Sequence, residues 1–544
     1  MDFKPKRTVQ NSPVEFSLQS KKEYRDPFSD VEVSATFMGP DGEERTVPAF
    51  WAGNNAWRVR YASHQVGKHS FRTSCSDVAN PGLHGRTGSL EVVRYEGRNP
   101  LLKHGPLKVS KDRRHLEHED GTPFFWLGDT WWMGLSKRLR WPEEFKLLTR
   151  DRVGKGFTVV QIVAGLYPDM PPFDPRGANE AGFPWERGFS RINPAYFDAA
   201  DRRIWWLVRS GLVPCIVGSW GYYIKFAGEE VMKKHWRNLV ARYGAFPSVW
   251  CLAGEATMPY YVSQEWGDRE KREKYVAEAR AGWTGVARYL RSLDPYRRPV
   301  TIHPTDCARN MVDDPAVIDF DMLQTGHSDV HGFENTVRSL ASSIASSPRM
   351  PVLVGEVTYE GIMGASWDNV QRLMFWASVL SGAAGHTYGA NGIWQVNRRG
   401  RPFGPSPHGR SWGDAPWDEA RKLPGSRELG LGKKLLESYR WWMFEPHPEW
   451  VEPHWSEGDY FEPYAAGIPG EVRVIYVPWH GQALWGWFKV KELEPGVSYR
   501  AFFFDPRTGR RLDPVKVEPD RNREWRPPLA PLLQDWVLVL EASS

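Results

Sequence analysis

The run Phe-Phe-Trp-Leu-Gly at residues 124–128 marks the point where the character of the chain changes. It is apolar without alternation, as expected of a β-strand that is covered on both faces. The segment Trp-Pro-Glu-Glu at 141–144 then opens a helical stretch, with proline and acidic residues in the first turn. A buried strand followed by such a helix predicts a βα unit.

The same alternation recurs along the middle of the chain. Strands are predicted at 124–128, 157–163, 212–218, 249–253, 300–303, 320–324, 352–355 and 383–388. Helices are predicted between them at 141–153, 194–210, 229–243, 269–293, 334–346 and 367–380. Eight strands interleaved with helices over a stretch of about 270 residues are typical of a (β/α)8 barrel. The predicted fold class is therefore α/β, with a TIM barrel at its centre.

Strand patterns without intervening helices flank this barrel on both sides. Before it, short apolar segments separated by Gly, Pro and Asn turns predict a β-sandwich. After it, strands are predicted at 472–477, 483–488, 499–504 and 536–541, with a hairpin turn at 505–509. We expect three domains: an amino-terminal β-sandwich at 1–100, a catalytic barrel at 101–440 and a carboxyl-terminal β-sandwich at 441–544.

The composition excludes several classes of protein. Of 544 residues, 41% are hydrophobic and 25% charged, and no apolar run approaches the length of a membrane helix. The net charge of +5 is spread along the chain, so we expect neither a membrane nor a nucleic-acid partner, while a homo-oligomer stays open. The first residues lack the apolar core of a signal peptide, which predicts a cytoplasmic protein. Four distant cysteines fit buried thiols rather than a disulfide framework.

Tryptophan is the unusual residue, at 28 positions. Indole rings pack well in cores, but they also stack on the flat apolar faces of sugars while offering an N–H donor at the edge. The tryptophans in predicted helices, such as Trp205 and Trp376, are assigned to packing. Four tryptophans near strand ends are candidates for the wall of a carbohydrate cleft: Trp131, Trp132, Trp220 and Trp394.

Two glutamates directly follow buried strands, each after a glycine, in Val-Trp-Cys-Leu-Ala-Gly-Glu at 249–255 and Val-Leu-Val-Gly-Glu at 352–356. The reacting groups of a TIM barrel lie at the carboxyl ends of its strands, where a carboxylate loses hydration. Each glutamate alone fits a salt-bridged strand end. Strands four and seven face each other across the mouth, however, and two carboxylates about 5–5.5 Å apart cleave a glycosidic bond with retention. We assign Glu255 as acid/base and Glu356 as nucleophile.

At these positions the chain resembles the clan A glycoside hydrolases, which carry glutamates at the ends of strands four and seven. The motifs at 125–131 (Phe-Trp-Leu-Gly-Asp-Thr-Trp), 155–161 (Lys-Gly-Phe-Thr-Val-Val-Gln) and 250–255 (Trp-Cys-Leu-Ala-Gly-Glu) look more narrowly like the apiosidase-like bacterial glycosidases. The resemblance implies an amino-terminal β-sandwich, a catalytic barrel and a small carboxyl-terminal β-domain that carries a collagen-binding label. The chain departs from the clan at Gly254, where many members place an asparagine that binds the sugar 2-hydroxyl.

Other polar and aromatic residues stand at the remaining strand ends. Asp129 suits the binding of two sugar hydroxyls, or the capping of a helix. His303 and His327 can donate to a hydroxyl or to Glu356, and Tyr359 can keep Glu356 ionised. The residues predicted to bind substrate are Asp129, Trp131, Trp132, Gln161, Trp220, Tyr222, His303, Gln324, His327, Tyr359, His386 and Trp394.

We expect neither a metal nor a cofactor. The pair His115 and His118 suggests a metal motif, but the segment reads as a hairpin that leads into strand one. A Gly- and Pro-rich loop at 396–425 is long enough to form a lid over the barrel mouth, although a solvated surface loop is the default.

The sequence therefore predicts a retaining glycoside hydrolase that acts on plant or microbial glycans or glycosides. Long loops after strands two and eight favour exo action, because they can close one end of the cleft. The main alternative is a non-catalytic carbohydrate-binding protein on a barrel scaffold. Another barrel hydrolase, such as an amidase or a metal-dependent esterase, is a further alternative, and a collagen-binding role rests on the family label alone.

Overall fold

The computed structural model describes residues 6–543, apart from the side chain of Gln482. Residues 1–5 and 544, which the predicted terminal domains include, lie outside the described residues. The chain start, whose sequence predicts a cytoplasmic protein, lies partly outside the described residues as well.

A parallel barrel-like sheet forms the centre of the fold, which confirms the predicted fold class. Within residues 6–543 its eight strands are Trp126–Thr130, Val159–Val163, Val213–Val217, Val249–Cys251, Val300–Thr301, Asp321–Gln324, Val352–Glu356 and Gly385–Tyr388. We number them one to eight in chain order. The ladder runs from strand five through four, three, two, one, eight and seven to six.

The seam between strands five and six is closed by single hydrogen bonds. The backbone N–H of Asp319 donates to Val300 at 2.7 Å, and the Thr301 hydroxyl donates to the carbonyl of Phe320 at 2.9 Å. Strand five consists of Val300–Thr301 and is followed by 3-10 turns rather than an α-helix. Within residues 6–543 it forms no regular ladder with strand six. The carboxyl ends of all these strands nevertheless meet at one mouth.

Helices cover the outside of the barrel, and the six predicted helices are all present among them. The longer ones are Glu143–Gly154, Pro194–Arg209, Glu229–Tyr243, Arg269–Leu293, Phe333–Ala345, Asp368–Leu380 and Pro424–Leu436, with shorter helices at Tyr223–Ala227, Gln264–Gly267 and Trp417–Ala420. Among the described residues, no helix is both long enough and apolar enough to cross a bilayer.

Two facing sheets precede the barrel. In the described residues one has five strands, at Lys6–Val9, Val33–Met38, Glu44–Pro48, Gly67–Cys75 and Thr87–Val93, and the other has three, at Val14–Gln19, Phe50–Trp51 and Ala56–Tyr61. Their inner faces share one apolar core, in which the rings of Phe37 and Tyr61 stack at 4.0 Å. A small sheet of Leu107–Val109, Leu116–His118 and Pro123–Phe124 leads into the barrel.

An antiparallel sheet follows the barrel and packs on it. Its strands are Glu445–Pro446, Tyr464–Ile468, Val472–Val477, Tyr499–Phe504, Val515–Lys516 and Trp536–Ala542, and Val451–Glu452 pairs separately with Lys489–Val490. Tyr476 stacks on Trp376 of the helix Asp368–Leu380, and Arg372 of the same helix donates two 2.8 Å hydrogen bonds to Asp535. The division of the chain at residues 100 and 440 stays a prediction.

The strand predicted at 483–488 is wrong. The segment forms a 3-10 turn, Gln482–Trp485, that ends at Gly486 in the left-handed backbone conformation. A side chain at Gly486 would collide with Leu529, because the two loops lie against each other. The run of apolar residues that suggests a strand therefore belongs to a packed turn.

Candidate active site

The two glutamates at the ends of strands four and seven meet at the barrel mouth. Glu356 is the last residue of its strand, whereas Glu255 stands four residues after the end of strand four. Glu255 has a φ of 43°, in the left-handed region that non-glycine residues rarely occupy. Such strain persists only where surrounding contacts enforce it, and it is common at functional sites.

Trp220 at the end of strand three is one of the contacts that fix Glu255. Its indole N–H donates to Glu255 Oε2 at 3.1 Å. The same ring lies against Gly254, where a Cβ would stand 2.2 Å from the indole carbons. The absence of a side chain at Gly254 is therefore required by Trp220, which occupies the space that an asparagine would need.

Gln324 at the end of strand six joins the two carboxylates. Its Nε2 donates to Glu255 Oε1 at 3.0 Å and to Glu356 Oε1 at 3.1 Å. These two oxygens are therefore no more than about 6.1 Å apart, which is the sum of the two distances. The two carboxylates face one small volume.

Two histidines hold Glu356. His303 Nε2 lies 3.1 Å from Glu356 Oε2, and His327 Nε2 lies 2.9 Å from Glu356 Oε1. The backbone N–H of Glu255 donates to His303 Nδ1 at 3.4 Å, which leaves the ring proton on Nε2, where it is donated to Glu356. His303 thus connects the backbone of one glutamate to the side chain of the other.

The surroundings drive the pKa values of the two glutamates in opposite directions. Burial, and then the charge of Glu356, raise the pKa of Glu255 to about 7. Burial also acts to raise the pKa of Glu356, but the hydrogen bonds from His303 and His327 outweigh it and hold that pKa well below its ordinary value. Near neutral pH one carboxyl can keep a proton while the other is ionised, which is how one site provides both an acid and a nucleophile.

A cavity of about 550 Å³ opens above this pair. Five of the predicted binding residues line it, namely Trp132, Trp220, His327, Tyr359 and Trp394. The Trp132 indole donates to the Tyr359 hydroxyl at 3.0 Å, and burial together with the neighbouring Glu356 carboxylate raises the pKa of Tyr359.

The other predicted binding residues lie outside the cavity lining. His303 and Gln324 act on it through the carboxylates. Asp129 is fully buried and accepts hydrogen bonds from Arg152 of the first barrel helix, at 2.6 Å, and from the Trp131 indole, at 2.5 Å. The side chains of Asp129 and Trp131 are therefore part of the barrel wall.

Three further predicted residues also lie beneath or beside the cavity. Gln161 Nε2 donates to the carbonyl of Gly355, at 2.9 Å, immediately before Glu356. Tyr222 donates to carbonyls of the loop after strand two. The buried His386 ring packs against Phe375, and neither ring nitrogen has a hydrogen-bond partner among the described residues.

Several residues that the sequence did not single out complete the lining. They come from loops after strands two, four, seven and eight: Pro168, Asp169, Met258, Tyr261, Trp266, Ile362, His408, Arg410 and Trp412. Asp169 is nearly buried, and its carboxylate accepts a 2.8 Å hydrogen bond from the Trp412 indole. Loop residues follow no periodic pattern, so the only signal was the length of these loops.

The histidine pair that suggests a metal motif has a structural place. His118 belongs to the small sheet before strand one, where its Nδ1 is 2.7 Å from the carbonyl of Gly105, and His115 directly precedes the strand Leu116–His118. Within residues 6–543, no group of three or more His, Cys, Asp or Glu side chains is placed to hold a metal ion.

Known structures share this architecture. A protein of Bacteroides vulgatus ATCC 8482, named as a candidate glycoside hydrolase, is 18% identical with a TM-score of 0.70 over 99% of this chain and 100% of that one. A glycoside hydrolase family 5 structure from the same strain is 22% identical with a TM-score of 0.66, over 82% of this chain and 95% of that one. Another structure named glycoside hydrolase, also 22% identical, covers 82% of this chain and 99% of its own, with a TM-score of 0.65. At these identities the likeness is one of fold. No curated protein matches the chain.

A match to a glycosidase family across the barrel defines the class of protein, a glycoside hydrolase. The family description "Apiosidase-like, catalytic domain" matches residues 110–443, more than half of the chain, and the protein belongs to this family. Residues 8–76 match a domain of unknown function, DUF5060.

Proposed function

We propose that the chain hydrolyses a glycosidic bond with retention of configuration, with Glu356 as nucleophile and Glu255 as acid/base. The observation that carries the proposal is the Gln324 amide, which donates to both carboxylates and limits their facing oxygens to about 6.1 Å. Retaining enzymes hold the two groups about 5–5.5 Å apart, whereas inverting enzymes need roughly 6.5–9.5 Å to admit a water between them.

In the first step Glu356 attacks the anomeric carbon and forms a covalent ester with the sugar. The bond from that carbon to the leaving oxygen breaks, and the proton of Glu255 moves to that oxygen, so that the leaving group departs as an alcohol. The low pKa of Glu356 keeps the attacking group ionised, and the raised pKa of Glu255 supplies the proton near neutral pH.

In the second step the ionised Glu255 takes a proton from a water, whose oxygen attacks the same carbon. The ester bond to Glu356 breaks, and the sugar is released with the configuration that it had in the substrate. His303 and His327 then again stabilise the free Glu356 carboxylate through their Nε2 hydrogen bonds.

The combination of indole rings and carboxylates supports a sugar as the ligand. Trp132, Trp220 and Trp394 line the cavity beside Glu255 and Glu356. Indole rings stack on the apolar faces of sugars, and carboxylate oxygens accept hydrogen bonds from sugar hydroxyls. We propose plant or microbial glycans or glycosides as the substrate class.

Exo action is supported by the two long loops. The Trp412 indole and the Ser406 hydroxyl, on the loop after strand eight, both donate to Asp169 on the loop after strand two. The Arg176 guanidinium adds a 3.2 Å bond to the carbonyl of Phe403. These contacts join the loops along one side of the cavity, and a cleft closed at one side favours a chain end over a chain interior.

A panel of aryl glycosides tests the proposal. We expect the purified protein to release the aryl group from at least one pentoside, hexoside or furanoside, and the release to stop in the double variant Glu255→Gln, Glu356→Gln. Binding of sugars with no turnover across the panel would instead support the non-catalytic alternative.

The rate should depend on pH as the two pKa values require. Glu255 must be protonated for the first step, so we expect kcat/KM to fall as the pH rises through about 7. Glu356 must be ionised, and since its pKa is lowered, activity should persist below pH 4.5, the ordinary value of a glutamate. A profile that rises through pH 7 would contradict the assignment of Glu255 as acid.

A further inference from the structure

Different segments of the chain form the cavity walls near Glu255 and near Glu356. Glu255 begins the loop at 255–268, and this loop also places Met258, Tyr261 and Trp266 in the lining. The walls around Glu356 come instead from strand ends and the loops after strands six to eight. These are His327, Tyr359, Ile362 and Trp394.

The chemistry of the first step indicates which part of the substrate binds in each half of the cavity. A proton donor has to face the oxygen of the bond that breaks, so the leaving group lies on the side of the donor, and the sugar that becomes attached lies on the side of the nucleophile. Burial, followed by the charges of Asp169 and Glu255, raises the pKa of Tyr261, as expected for a hydroxyl on the Glu255 side.

Trp266 has the exposure and the position of a stacking surface. It lines the cavity and is 40% exposed, unlike the buried Trp132, Trp220 and Trp394 around the carboxylates. The guanidinium of Arg272 lies over one face of the indole, 5.5 Å from the ring centroid, and the ring still lines the cavity.

Two neighbouring rings narrow this half of the cavity. Tyr261 lies 5.9 Å from Trp266, and His408 of the loop after strand eight packs edge-on against Tyr261 at 5.4 Å. A flat ring with apolar faces can stack on the surface that these adjoining rings form, because aromatic surfaces stack on the C–H faces of sugars and on aromatic groups alike.

We propose that Trp266, with Tyr261 and His408, forms the binding site for the leaving group, and that this group is ring-shaped: a second sugar or an aromatic aglycone. The inference rests on the proposed function, since it uses Glu255 as proton donor. Trp266 acts there as a specificity-determining residue that leaves the reacting atoms to the two glutamates.

Three substrates of the sugar that the aryl panel identifies test this site: the glycosyl fluoride, the 4-nitrophenyl glycoside and a disaccharide. Fluoride has no ring to stack, yet its departure uses the same nucleophile. We expect Trp266→Ala to lower kcat/KM about tenfold or more, mainly through KM, for ring-bearing leaving groups and to change it less than about twofold for the fluoride. Trp266→Phe should retain most of the wild-type value.

The matched control is Trp485→Ala, which removes an indole that is 62% exposed in the carboxyl-terminal part of the chain and should affect none of the three rates. A loss with the disaccharide alone assigns the site to a sugar, and a loss with both ring-bearing substrates assigns it to any flat ring. Equal losses with all three substrates, or no loss with any, would overturn the inference. A wild-type protein that cleaves none of the three would remove the proposed function itself, and the site with it.

Discussion

We expect Glu356→Gln to lower kcat by at least about a thousandfold, because the substituted amide cannot form the ester that divides the reaction into two easier steps. The change keeps the size of the side chain, and its one amide oxygen can accept from either His303 or His327, which in the wild type donate to different oxygens of Glu356. The loss should therefore appear in turnover, with a melting temperature close to that of the wild type. Initial rates on the best aryl glycoside measure it.

Azide identifies the role that Glu356 plays. In Glu356→Ala the azide ion can enter the vacated space and attack the anomeric carbon from that face, so we expect a glycosyl azide of inverted configuration and partial recovery of the rate. The matched control is Glu334→Gln, which neutralises an exposed glutamate at the start of a barrel helix and should leave turnover unchanged. Near-normal hydrolysis by Glu356→Gln would remove Glu356 from the mechanism.

The second large effect concerns Glu255. Glu255→Gln cannot donate a proton, so we expect a loss of about a thousandfold or more with leaving groups that need protonation and a much smaller loss in the first step with a 2,4-dinitrophenyl glycoside. The fall of kcat/KM near pH 7 should disappear as well, since the titrating group is gone. Rates across a series of aryl leaving groups and pH values measure both effects.

Azide again separates the roles. In Glu255→Ala the covalent intermediate still forms on Glu356, so azide should give a product of retained configuration, opposite to the product of Glu356→Ala. Losses that are the same for every leaving group would show that Glu255 acts on binding or folding rather than as the acid.

Much of the fold follows from periodicity. The predicted helix at 269–293 matches Arg269–Leu293, and most barrel strands lie within two residues of their predicted bounds. In the barrel, continuous apolar runs form the buried strands and amphipathic segments form the helices between them. The local sequence pattern therefore agrees with the burial of these residues in the structure. At 483–488 they disagree, because the apolar side chains there pack a turn against a second loop, and sequence alone does not reveal that contact.

Only part of the candidate site can be predicted in the same way. Glu255 and Glu356 stand out because each follows a buried strand and a glycine, and the barrel brings strand ends together. Asp129 stands out for the same reason, yet Arg152 of a neighbouring helix pairs with it beneath the cavity. Asp169 and Trp266 come from long loops, whose positions depend on contacts far away in the sequence.

Gln324 is the residue that gives the site its most informative geometry. It was predicted as a hydroxyl-binding residue, and its Nε2 instead lies within 3.1 Å of both carboxylates. Nothing in the sequence near strand six indicates this double contact, because it depends on the arrangement of three strand ends in space.

The configuration of the first product tests the central claim most directly. Proton NMR of the hydrolysis reaction, begun within the first minutes after enzyme is added and before the sugar equilibrates, shows which anomer forms first. Two displacements at the same carbon, first by Glu356 and then by water, predict the anomer of the substrate. An inverted first product would contradict Glu356 as nucleophile and the account of the site that rests on it.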